Sequence, residues 1–120
     1  MKHRKTGRQF GRIRAQRTAL MRTMLGSLIM HGRIVTTEAK AKELKMRIDR
    51  IITKAKRGQK AGAQQYVIVR KIQKDIPRVA VQSLMKNLDR FADRDSGYTR
   101  VVKMAPRNSD CAKMALIEFV

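Results

Sequence analysis

Residues 36–58 read TTEAKAKELKMRIDRIITKAKRG. Within them Ala41, Leu44, Ile48, Ile51, Ile52 and Ala55 recur at the three- and four-residue spacing that aligns side chains on one face of an α-helix. Glu38 falls in the first turn, and Lys54, Lys56 and Arg57 crowd the last turn before Gly58, so each charge sits at the end whose dipole favours it. Glu38 with Lys42 and Glu43 with Arg47 are i, i+4 pairs with the acid on the N-terminal side, the stabilising order. The pattern predicts a helix over 38–57 with one buried stripe, capped at its start by a Thr.

Upstream, Met21, Met24, Leu25, Leu28 and Ile29 form a second apolar face, and Gly32 stands where a left-handed C-cap belongs, which predicts a helix over 14–31. His31 beside it reads as a partner of the helix C-terminus rather than a ligand or base. Between the two helices, residues 33–37 carry Ile34, Val35 and two Thr, a β-branched composition that predicts a short strand. Downstream, residues 59–65 read as a polar connection into a third helix over 61–72, although the run Tyr66-Val67-Ile68-Val69 suits a buried strand equally well. Pro77 opens a fourth helix over 78–91, with Val81, Leu84, Met85, Leu88 and Phe91 facing inward. After a turn at 93–97, a strand is predicted over 98–104, a loop with Pro106 follows, and a last strand over 112–120 places Ala115, Ile117 and Phe119 on one face. The order predicts an α+β fold: a two-layer domain of helices on a small sheet, with no internal repeat.

Composition narrows what such a domain does. A chain of 120 residues suits one hydrophobic core. Its 29 Lys and Arg against 9 Asp and Glu give a formal charge of +20, which calls for a polyanionic partner, while 42% hydrophobic residues argue against a wholly disordered basic tail. One Cys and two His support neither a disulfide framework nor a Cys/His metal site, and a reducing compartment fits best. No apolar run approaches the ~20 residues of a membrane span. There is no phosphate-binding glycine loop, H-E-x-x-H, C-x-x-C or nucleophile elbow, so the chain is expected to be no enzyme, with no cofactor and no small-molecule substrate. Glu38, Glu43, Asp49 and Asp89 read as solvated helix-face charges, and the methionines as core filling.

The positive signal is the opening segment, MKHRKTGRQFGRIRAQR. Eight of the first 22 residues are Lys or Arg, and the first acid is Glu38. Lys neutralises phosphates, and the Arg fork adds two directed hydrogen bonds to one phosphate. A mitochondrial transit peptide shares this composition. Against that reading, the helical face of 21–29 runs directly into the next strand and helix, and Ser27 is the only serine before residue 32. The segment is therefore expected to be a nucleic-acid-binding arm over 1–17, preceding one domain over 18–120. Scattered bases such as Lys40, Lys45 and Arg50 read equally well as a solvated face.

Four blocks carry a resemblance: MKHRKTGRQF with Arg17 and Met21-Arg22, then TTEAKAKEL at 36–44, then RFADRDSGYTR at 90–100, and the ending MALIEFV. In this order they are similar to the L-seventeen family of the bacterial large ribosomal subunit, across essentially the whole chain. The chain departs from that family's pattern at Gln16, where His is usual, and at Ser96, where the turn often has Gly-Gly. The resemblance implies a structural protein that binds large-subunit rRNA near the polypeptide exit side, beside neighbouring ribosomal proteins in the cytoplasm. It also implies an extended basic N-terminus and a three-stranded mixed sheet packed on helices. The candidate rRNA-contacting residues are Lys2, His3, Arg4, Lys5, Arg8, Arg12, Arg14, Arg17 and Arg22, joined by Arg94, Tyr98, Arg100 and Arg107 of the C-terminal part. Alternation along the last-but-one strand puts Tyr98 on the face of Arg100, as a stacking ring beside guanidinium groups; equally, the ring packs on the core and wets its hydroxyl. A nucleoid-type DNA-binding protein and an imported organellar protein are the runner-up readings.

Overall fold

The chain begins its regular structure at α1 (Arg14–His31), which runs until Gly32 adopts φ +78° and donates its N–H to the Leu28 carbonyl at 2.8 Å. That left-handed cap turns the chain into β1 (Arg33–Thr37), and α2 (Glu38–Lys60) follows without a break. The computed structural model describes residues 3–120, and Lys2 lies outside them. Thr37 occupies the N-cap position of α2 in extended geometry, but its hydroxyl makes no capping bond; the Glu38 N–H donates to the Lys113 carbonyl at 2.9 Å instead. The expected apolar stripe is buried in full: Ala41, Leu44, Ile48, Ile51, Ile52 and Ala55 all lie in the core.

α2 passes through Gly58 and ends three residues beyond the predicted boundary. Gly58 is there for closeness, not termination, since a Cβ at that position would stand 2.9 Å from Ile68 Cγ2. Ile68 belongs to α3 (Gln65–Ile72), which a short 3₁₀ turn (Gly62–Gln64) joins to α2. The ambiguous run at 66–69 is thus helical. The predicted fourth helix divides in two: α4 (Arg78–Lys86) stops where the Asn87 side-chain amide donates to the Ser83 carbonyl at 3.0 Å, and a 3₁₀ turn (Leu88–Phe91) carries Leu88 and Phe91 into the core.

β2 (Thr99–Lys103) and β3 (Met114–Phe119) complete a three-stranded sheet of order β1-β3-β2. Both ladders are antiparallel, pairing Ile34 with Ile117 on one side and Val101 with Ile117 on the other. The sheet is therefore antiparallel throughout and not mixed. β1 and β2 do run in the same direction, but the chain-terminal β3 lies between them, so their parallel relation never becomes a hydrogen-bonded ladder. Ala115, Ile117 and Phe119 face the helices, as their alternation predicts, and α2 forms the middle of the helical layer. The α+β, two-layer architecture stands.

Candidate nucleic-acid interface

The last four residues of the expected arm are already helical. Arg14, Arg17 and Arg22 project from α1, and His3, Arg4, Lys5, Arg8 and Arg12 precede it as exposed side chains. The root of the arm is folded on itself: Arg12 Nη1 donates to the Phe10 carbonyl at 2.8 Å and Arg17 Nη1 to the Arg12 carbonyl at 3.0 Å. Phe10 packs against the core. Ahead of it, Thr6 and Gly7 lie over a cleft of about 550 Å³ between α1 and α2.

That cleft collects four cations, Arg22 from α1 and Arg47, Arg50 and Lys54 from α2, with two carboxylates, Glu43 and Asp75. The spacing of Glu43, Arg47, Arg50 and Lys54 repeats every three or four residues, which sets them along one edge of the helix beside its apolar stripe. Both acids are occupied. Lys54 stands 3.2 Å from Asp75, and the Arg47 guanidinium donates through Nε and Nη2, each at 3.2 Å, to Glu43 Oε1. Arg22 donates to the Gln73 carbonyl at 3.3 Å, and among the described residues Arg50 forms no ion pair. Glu43 is only 4% exposed, and its second oxygen, Oε2, is buried without a hydrogen-bond partner. The reading of Glu43 as a solvated charge is corrected: the arm at Gly7 roofs it, leaving only about 3.4 Å between Glu43 Oε1 and the place a Cβ would take. Arg47, Arg50 and Lys54 were absent from the predicted contact set, and the signal that finds them is their shared helix edge.

Arg8 lies in a second hollow at the start of α2, with Thr37, Glu38, Lys42 and Lys113. There the Lys42 ammonium, 2.7 Å from Glu38, holds that carboxyl below the usual carboxylate value, and Lys103 and Lys113 add to the effect.

The C-terminal candidates divide. Tyr98 is 1% exposed, its ring edge-on to Phe91 at 5.5 Å between centroids, and its hydroxyl donates to the Arg94 carbonyl at 3.1 Å. Of the two readings of this residue, the ring does pack on the core, but its hydroxyl is buried against the Arg94 carbonyl and not wetted, and the reading as an exposed stacking ring is corrected. β2 begins at Thr99, so alternation does not extend back to Tyr98, and Arg100 points to the opposite, outer face. Arg100 meets Glu118 at 2.6 Å across the ladder. Arg94 donates to the Gly97 carbonyl at 3.4 Å within the turn. Gly97 alone there takes a left-handed φ, +66°, and Ser96 needs none. Arg107 grips Asp110 with two bonds of 3.0 and 2.8 Å, and this pair, with the Ala112 N–H, lowers the Asp110 carboxyl to about 2. Among the described residues no three His, Cys, Asp or Glu gather as a metal site, and no helix is long and apolar enough to cross a membrane.

A family model for ribosomal protein L17 matches residues 20–120, from the second turn of α1 through β3. The chain belongs to the L17 family. Its similarity to individual members extends through the arm. It is 46% identical to the large ribosomal subunit protein bL17 of Rubrobacter xylanophilus, over 100% of this chain and 96% of that one. It is 41% identical to the bL17 of Sorangium cellulosum, over 100% of this chain and 83% of that one. With the bL17 of Limosilactobacillus fermentum the identity is 41%, over 94% and 98% of the two chains.

Proposed function

We propose that this chain binds large-subunit rRNA through its basic N-terminal arm and the cationic cleft beneath it, positioning the folded body on the particle. Membership of the L17 family makes it a structural constituent of the large ribosomal subunit in the cytoplasm, not an enzyme. Its partners in that setting are the rRNA and the ribosomal proteins that adjoin it.

One observation carries the finer reading. The chain has no acid before Glu38, and its arm at Thr6 and Gly7 lies over a cleft in which Arg22 and Arg50 form no ion pair among the described residues, so cations on the arm and in the cleft offer a path for a phosphate backbone. Such a path neutralises successive phosphates and releases their counterions, a source of affinity that needs no base reading. The ordering cost of the arm is offset at the moment it meets RNA.

The test compares two charge-neutralised full-length chains. One carries Arg4→Gln, Lys5→Gln, Arg8→Gln and Arg12→Gln; the other carries Arg33→Gln, Arg78→Gln, Lys86→Gln and Arg90→Gln. The first is expected to lose about tenfold or more in affinity for large-subunit rRNA at physiological salt, and the second much less. Equal losses would show that net charge alone binds RNA. Recovery of the native protein with chromosomal DNA instead of large subunits would favour the nucleoid reading.

A further inference from the structure

A second basic stretch starts at the cleft under the arm and runs away from it along α2 and α3. Between Asp49 and Asp75 there is no acid, while Arg50, Lys54, Lys56, Arg57, Lys60, Arg70, Lys71 and Lys74 all fall inside it. This stretch spans the C-terminal half of α2, the 3₁₀ turn and the whole of α3. It also holds the one Phe or Tyr ring that the fold leaves in solvent: Tyr66 is 67% exposed, whereas Tyr98, Phe91 and Phe119 are buried and Phe10 is half-buried.

The exposure of Tyr66 follows from how α3 is seated. Ile68 fits against Gly58 of α2, and Ile72 is fully buried, so the inward side of this two-turn helix is fixed. Tyr66 and Arg70, four residues apart, then share an outward side. The Arg70 guanidinium carbon stands 5.5 Å from the Tyr66 ring centroid, which holds a cation beside the ring without covering both of its faces. An exposed ring with an adjacent guanidinium, in an acid-free stretch of chain, is the combination that receives an unstacked base while its phosphates meet Lys or Arg.

We infer that Tyr66 is a stacking platform for one unpaired nucleotide of RNA, with Arg70 and Lys71 at the end of α3 engaging the phosphates that flank it. Charge complementarity selects this occupant over a second copy of the chain, which would bring another +20 to the same surface. The inference rests on the rRNA-binding reading and adds a contact, on α3, at which a base and not only a phosphate is held.

The test uses full-length wild type, Tyr66→Phe and Tyr66→Leu with deproteinised large-subunit rRNA. Because the chain has no Trp and only two Tyr, intrinsic emission comes from Tyr66 and the buried Tyr98. Stacking predicts that RNA quenches wild-type emission and leaves the residual emission of Tyr66→Leu unchanged. It also predicts that Tyr66→Leu binds about tenfold more weakly with an unaltered salt slope, while Tyr66→Phe stays within about twofold of wild type. Equal binding by wild type and Tyr66→Leu would overturn the platform and leave the rRNA-binding reading standing; failure of the wild type to bind rRNA at all would overturn both. A loss shared by Tyr66→Phe would point to the hydroxyl and overturn stacking. If Tyr66→Leu binds RNA normally but no longer enters particles, the surface belongs to a protein neighbour and the platform is again overturned.

Discussion

Tyr98 sits one residue before β2, and its backbone N–H donates to Asp49 Oδ1 at 3.3 Å instead of joining the ladder. Lys56 completes its surroundings, donating to the Arg94 carbonyl and, at 3.4 Å, to the Tyr98 hydroxyl, with its ammonium 5.5 Å from the ring centroid. Tyr98→Leu would remove the edge contact to Phe91 and the buried hydroxyl bond together. It is expected to cost about 2 kcal/mol, lowering Tm by roughly 8 °C in a calorimetric scan, with rRNA affinity of the folded protein unchanged. Alternation could not reveal this, because it holds only inside a paired strand. Pairs one helical turn apart were legible, and Glu38–Lys42 and Glu43–Arg47 both form. Asp110 gives a pH prediction at the same scale. Its ordinary value of 3.8 is lowered to about 2, so the clamp on Arg107 contributes fully above 3.8 and fades as pH falls through the lower value. A carbon-detected NMR titration should give a midpoint near 2, and Arg107→Gln should raise it only part of the way toward 3.8, because the Ala112 N–H still donates to the carboxylate.

At the scale of elements, α1, β1 and the start of α2 were legible to the residue, since a left-handed Gly32, a β-branched run and an amphipathic stripe follow one another without conflict. α3 was not, because four consecutive apolar residues fit either period; tertiary packing against Gly58 decides it. Nor could local pattern reveal that β3 occupies the centre of the sheet, which depends on pairing β1 with a strand about eighty residues away. Two close helix contacts rest on missing side chains. A Cβ at Gly26 of α1 would stand 2.9 Å from Pro77 Cδ and 3.0 Å from its Cγ, and one at Gly58 would stand 2.9 Å from Ile68 Cγ2. Alanine at either gains about 1 kcal/mol of helix propensity, against an overpacking cost of about 1–3 kcal/mol. Neither the Pro77 ring nor the Ile68 Cβ, 3.2 Å from the added carbon, can rotate away, but α3 is short and can shift as a unit to relieve its contact. Gly26→Ala is therefore expected to be the more costly, by about 1 kcal/mol, read as a lower urea midpoint at constant m. A larger loss from Gly58→Ala would mean that α3 is held more rigidly than α4.

For the whole molecule, the balance between arm and body sets how binding responds to salt. The arm before α1 carries Lys2, Arg4, Lys5, Arg8 and Arg12. If each neutralises one phosphate, deleting residues 1–13 reduces the slope of log K against log salt by roughly 3.5 to 4.5, at ~0.7 to 0.9 per phosphate. The basic character of residues 2–12 is plain in the sequence, but the cleft beneath the arm is not, because Arg47, Arg50 and Lys54 come next to Arg22 only when α1 packs on α2. That cleft also predicts what deletion does to the fold. Removing the arm costs the Phe10 contact with the core, yet it opens Glu43 to water and supplies a partner for Oε2, which is otherwise buried and unpaired. The two changes oppose each other at about 1–2 kcal/mol each, so the truncated body is expected to keep its helical circular dichroism and to melt within a few degrees of the full chain. A salt titration of rRNA binding on the same sample then separates the possibilities. A reduced slope with an intact body assigns most phosphate contacts to the arm, and an unchanged slope assigns them to the cleft and α3. A collapsed body would show that Phe10 and the roof over Glu43 hold α1 on α2.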